Sequence, residues 1–75
     1  MTHNTKAYLA VANFGEEWQQ KELALTISNL TGFFTYVHNG LVVTECRVSE
    51  LGKLMLDLAS YETVNWIEYT IRFDV

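Results

Sequence analysis

Asn39-Gly40 stands between two runs rich in β-branched and aromatic residues, Phe33–His38 and Leu41–Val48. No other feature narrows the fold as much. A two-residue type I′ turn needs positive φ at both central positions, and Asn-Gly tolerates this at little cost. A two-residue loop also sets the register: His38 opposes Leu41, and opposed residues share a face of the sheet. One face then holds Val37/Val42, Thr35/Thr44 and Phe33/Cys46. The other holds His38/Leu41, Tyr36/Val43 and Phe34/Glu45, followed by Arg47. The first set is uncharged and small enough to take a helix. The second mixes aromatics with charge, so it cannot be a fully dry core.

Lys6–Phe14 is apolar on both alternating sets, as suits a central strand covered on both faces. Ser49–Tyr61 reads as a helix: Ser49 is a good N-cap, Glu50 suits the positive helix start, and Leu51, Leu54, Met55, Leu58 and Tyr61 form one apolar stripe. Thr63–Val75 alternates again, with Ile67, Tyr69, Ile71, Phe73 and Val75 facing one way and Trp66, Glu68, Thr70, Arg72 and Asp74 the other.

Gly15–Thr31 supports two readings. A helix could be capped by Asn13 with Glu16 three residues on, and Leu23, Ile27 and Leu30 would group together, but Trp18 and Leu25 would fall opposite. A strand over 22–28 alternates Leu23, Leu25 and Ile27 with Ala24, Thr26 and Ser28, and Asn29–Gly32 supplies a turn. The strand is preferred. It gives an α+β fold of order β-β-β-β-α-β: a single antiparallel sheet of four or five strands with one main helix, about 49–61, on one face. The helix alternative gives β-α-β-β-α-β, the ferredoxin-like order. At 75 residues the chain forms a single domain over 1–75, with the polar residues 1–5 expected to fray.

Nine acids against five bases give a net charge of -4. Lys6, Lys21, Arg47, Lys53 and Arg72 are scattered singly, which argues against direct nucleic-acid binding. An aromatic-faced ferredoxin-like sheet is the frame of RNA-recognition modules, but their basic motif is missing here. No stretch approaches the roughly 18 uncharged apolar residues of a membrane span, and the polar start lacks the apolar run of a secretory signal. A cytoplasmic setting without membrane contact is therefore expected. A lone cysteine excludes an internal disulfide and fits a reducing compartment.

Candidate chemistry is sparse. His38 has no second histidine or orienting acid near it in sequence and reads as a solvated strand-end residue. Cys46 alternates with Val42 and Val48 and reads as an inert core thiol. Glu16-Glu17 reads as solvated, Asn29-Leu30-Thr31 as a chance match to a glycosylation acceptor, and the four glycines are too isolated for a phosphate loop. No catalytic residue, metal site or cofactor is expected.

What remains is a mixed sheet face bearing large apolar groups. Phe34, Tyr36, Val43 and Glu45 on the hairpin, with Trp66 and Glu68 on the last strand, are the expected partner-binding residues. The function expected is a non-enzymatic, self-associating protein-interaction domain of the small-inhibitor type: an antitoxin, an immunity protein or a phage-encoded blocker of a host enzyme. The expected partner is a protein, of the basic or nucleic-acid-binding kind. The alternative is a small ligand-binding or regulatory domain acting as a homo-oligomer.

Overall fold

A computed structural model describes residues 4–12, 15–60 and 69–74. Their elements run β1 (Lys6–Ala12), α1 (Glu17–Thr31), β2 (Thr35–His38), β3 (Leu41–Arg47), a 3₁₀ turn (Val48–Glu50), α2 (Leu51–Ala59) and β4 (Tyr69–Phe73). The four strands form one sheet in the order β2-β3-β1-β4, with every neighbouring pair antiparallel. The fold is α+β, with the β-α-β-β-α-β order of the ferredoxin-like arrangement.

The hairpin is as its turn dictates. Asn39 and Gly40 both have positive φ, 50° and 78°, and the strands pair Thr35↔Thr44, Tyr36↔Val43, Val37↔Val42 and His38↔Leu41. Sheet order then explains the helices. β1 and β2 both pair antiparallel with β3, so they run in the same direction and their link must travel back along the sheet. β3 and β4 flank β1 in the same way, and α2 lies in their link.

The strand expected over 22–28 is therefore overturned: these residues lie inside α1, and the sheet carries two helices rather than one main helix. Leu23, Ala24 and Ile27 are buried, whereas Leu25 is 64% exposed, so the alternation of Leu23, Leu25 and Ile27 did not mark a buried face. The start of α1 is also not as expected. Its N-cap is Glu16, whose N–H donates to Oε1 of Gln19 at 2.7 Å, and Asn13 lies outside the described residues. The helix ends at Gly32, whose N–H donates to the Ser28 carbonyl at 2.9 Å and whose φ of 77° turns the following chain out of the helix.

One apolar layer holds the domain together. Ala7, Leu9 and Val11 of β1, Val42 and Cys46 of β3, Leu23, Ala24 and Ile27 of α1, and Leu54 and Leu58 of α2 form the buried cluster. Val37, Leu51, Met55, Ile71 and Phe73 pack against it. Thr44, 1% exposed, is polar in this layer, and its hydroxyl lies 3.2 Å from that of Thr35. Both helices thus sit on the uncharged face that the hairpin register defines.

Three boundaries differ from expectation. β1 is central in the sheet, and among the described residues helices cover one of its faces; Tyr8, Ala10 and Ala12 on the other are half-buried beside their strand neighbours. Ser49 falls inside the 3₁₀ turn, so α2 starts after Glu50 instead of being capped by Ser49. The last strand spans Tyr69–Phe73 where a longer one was expected; Tyr61 to Glu68 and Val75 lie outside the described residues.

Candidate functional site

The sheet face opposite the helices gathers four of the six expected residues. β3 contributes Val43 and Glu45, β2 contributes Tyr36, and Phe34 extends the pairing, since the Glu45 N–H donates to the Phe34 carbonyl at 2.9 Å. The Phe34 and Tyr36 rings tilt against each other with centroids 5.1 Å apart. Val43, opposed by Tyr36 on one side and Ala10 on the other, is only 7% exposed. Phe34 is 66% exposed, so the cluster has a buried floor and an open aromatic rim. Trp66 and Glu68 lie outside the described residues.

Three residues join this face that the hairpin alone did not indicate. The β1 register sets Tyr8 between Glu45 on β3 and Arg72 on β4. Phe34, Glu45, Tyr8 and Arg72 thus form one row across the sheet. The Arg72 guanidinium lies 5.3 Å from the Tyr8 ring centroid, within cation–π range. Lys6 Nζ is 3.0 Å from Oε1 of Glu45 and 6.0 Å from the same ring centroid. The signal for Lys6 and Tyr8 was present in the sequence, because they alternate with the buried Ala7, Leu9 and Val11; what the sequence lacked was the register that sets them beside Glu45.

Glu45 organises the local electrostatics. Its hydrogen bond and charge hold the exposed Lys6 ammonium above its usual pKa. Burial pushes the Tyr36 phenol up, and hydrogen bonding to the Glu45 carboxylate adds to the shift because it favours the protonated phenol. The face therefore carries both signs of charge: Lys6, Arg47 and Arg72 against Glu45 and Asp74. Such a surface can stack flat groups, accept an apolar side chain and pair with either charge.

The other candidates sit apart from it. His38 is exposed at the strand end, its Nε2 3.2 Å from Nδ2 of Asn39. Cys46 faces the core, and burial, with the Glu50 charge adding, raises its thiol pKa and disfavours the thiolate. Glu17 pairs with Lys21 at 3.3 Å on the exposed side of α1. Among the described residues no group of three or more His, Cys, Asp and Glu could hold a metal ion, and no helix is long and apolar enough to cross a membrane. Comparison of the chain with protein-family models, with curated proteins and with solved structures gives no match.

Proposed function

We propose that this is a non-enzymatic protein-binding domain that receives a partner protein on the open sheet face, as a small inhibitor of the antitoxin, immunity or phage-blocker kind would. One observation carries the reading. Both helices pack on one side of the sheet, while the other presents Phe34, Tyr36 and Tyr8 around the Lys6–Glu45 ion pair. Aromatic side chains of this sort anchor interfaces, because they bury much area at little conformational cost. The net charge of -4 favours encounter with a basic partner, and the mixed charges of the face would then fix register.

The test compares the wild-type chain with Tyr8→Ala, Tyr36→Ala and Glu45→Lys in capture and affinity measurements, with melting curves on each. A stoichiometric protein partner should be lost by the aromatic variants, which should weaken affinity by about 30-fold or more and leave the fold intact. Glu45→Lys should chiefly change the association rate and its salt dependence. Aromatic variants that unfold instead would make these rings core. Variants that bind like the wild type would place the contact elsewhere.

A second reading rests on a hollow of about 430 Å³ at the end of the sheet, lined by Lys6, Phe33, Phe34, Cys46, Arg47 and Glu50 among others. Its size suits a small metabolite. Thermal stabilisation by a metabolite in the absence of any protein partner would favour it.

A further inference from the structure

β2 is an outer strand of the sheet, and among the described residues its shortness, four residues, is the one usual protection of an edge that it shows. Native edges are blunted by charge, proline or a bulge. Thr35–His38 contains no Lys, Asp, Glu, Arg or Pro, and its pairing with β3 is unbroken. Phe34 bonds to Glu45 in the ladder, so by antiparallel alternation Phe34, Tyr36 and His38 turn their backbone groups toward β3. Thr35 and Val37 turn theirs outward. Beside this edge runs a groove of about 370 Å³ between α1 and β2, lined by Lys21, Leu25, Ser28, Phe34 and Val37 among others. Leu25 on the helix side and Phe34 on the open side are both more than 60% exposed.

We propose that β2 pairs antiparallel with β2 of a second copy about a two-fold axis at Tyr36, joining two sheets into one of eight strands. In that register Thr35 opposes Val37 of the second copy and Val37 opposes its Thr35. All four outward donors and acceptors on each side then serve as two reciprocal pairs, which is the self-complementarity an isologous contact requires. Charge selects the occupant. From Asn29 to Thr44 the chain has no Asp, Glu, Lys or Arg, so two copies of net charge -4 meet where repulsion is least. Lys21, in the groove, is already neutralised by Glu17 at 3.3 Å. The opposite edge, β4, carries Arg72 and is followed by Asp74. Leu25 and Phe34 flank the seam on its two sides and would be covered by their counterparts. This edge shares Phe34 and Tyr36 with the open face but uses their backbone edge and outer flank, so the pairing does not rest on a partner occupying the Tyr8–Glu45 end of that face.

Sedimentation equilibrium and disulfide trapping test the proposal on the full chain. The wild type should sediment as a dimer. Leu25→Glu, at an exposed helix position, should weaken the dimer by about tenfold or more while keeping the monomer fold, because it sets two acids at the seam. Tyr36→Cys should cross-link to its own counterpart under mild oxidation, since residues on the axis form a close non-hydrogen-bonded pair within disulfide range. His38→Cys, two residues off the axis, should not. A wild-type chain that stays a monomer of 8.6 kDa overturns the proposal, whatever other strand the edge captures. So does a dimer indifferent to Leu25→Glu, or one in which His38→Cys cross-links more readily than Tyr36→Cys. None of these results alters what Tyr8→Ala and Glu45→Lys report about the open face.

Discussion

Two glycine substitutions should move stability in opposite directions although both add the same methyl group to open space. A Cβ at Gly40 or at Gly52 would meet no heavy atom within 4 Å. Packing therefore contributes little at either site, and backbone conformation decides the sign. Gly40 holds φ at 78° in the hairpin turn. An L-residue held in that region costs roughly 1–2 kcal/mol, offset by about 0.4–1 kcal/mol from the narrower unfolded ensemble. Gly40→Ala should thus destabilise by up to about 1.6 kcal/mol, and Gly40→Val by more than about 1 kcal/mol, because a β-branched residue resists positive φ further. Gly52 lies in α2, without positive φ. There Ala removes the entropic penalty of glycine in a helix and should stabilise by about 0.5–1 kcal/mol. Urea unfolding with a common m-value reads both, and each kcal/mol corresponds to about 4–8 °C in melting temperature for a domain of this size. A Gly40→Val protein as stable as the wild type would refute the type I′ turn and the register built on it. A destabilised Gly52→Ala would refute the helical assignment at the start of α2.

Two further outcomes follow from the core and from the titrating groups. Leu54 and Leu58 are fully buried, so replacing either with Ala should cost roughly 2–5 kcal/mol in chemical denaturation; under about 0.5 kcal/mol at both would contradict helix-on-sheet packing. Burial raises Cys46 above its ordinary 9.0, burial with the Glu45 hydrogen bond raises Tyr36 above 10.0, and the Glu45 hydrogen bond raises Lys6 above 10.5. In each case the folded state holds its proton more tightly than the unfolded state. Their contribution to stability is therefore full at neutral pH and is lost as pH rises through these values. Melting temperature should be level from about pH 7 and decline through the range where thiols and then phenols and amines titrate, with Cys46→Ala delaying the onset. A profile that rises on alkalinisation would contradict the directions of all three shifts, and added salt should shrink the share of the exposed Lys6.

Local chemistry made the hairpin legible, and non-local pairing hid α1. Asn39 and Gly40 specify their own conformation, so the partners of Thr35, Tyr36, Val37 and His38 followed by counting. For 22–28 the pattern misled because three large apolar residues of α1, Trp18, Leu25 and Leu30, are exposed at 60%, 64% and 47%. A helix whose outer face is this apolar has a weak 3.6-residue period, and Leu23, Leu25 and Ile27 then imitate a strand. Topology would have decided between the two. Once β1 and β2 both border β3, a chain of some 20 residues must return along the sheet, and a helix does so while satisfying its own backbone groups.

The candidate face was legible to the same extent and for the same reason. Phe34, Tyr36, Val43 and Glu45 were brought together by the turn alone, whereas Lys6, Tyr8 and Arg72 needed the β1–β3 and β1–β4 registers, which no local motif encodes. Their inclusion alters the chemistry of the face. With the hairpin alone, Glu45 is an acid on an aromatic surface and suggests attraction to a basic group. With β1 and β4 in place it is paired with Lys6 at 3.0 Å and lies in one row with Tyr8 and Arg72. A basic partner would have to displace Lys6 from that carboxylate, so the net charge of the chain governs encounter more than any single contact governs affinity. The aromatic rings meet less competition, since of Phe34, Tyr36 and Tyr8 the last alone carries a cation, Arg72 at 5.3 Å and Lys6 at 6.0 Å, and affinity should concentrate on them. This is why the Tyr8 and Tyr36 truncations, rather than charge reversal at Glu45, discriminate most sharply between a binding face and a covered one.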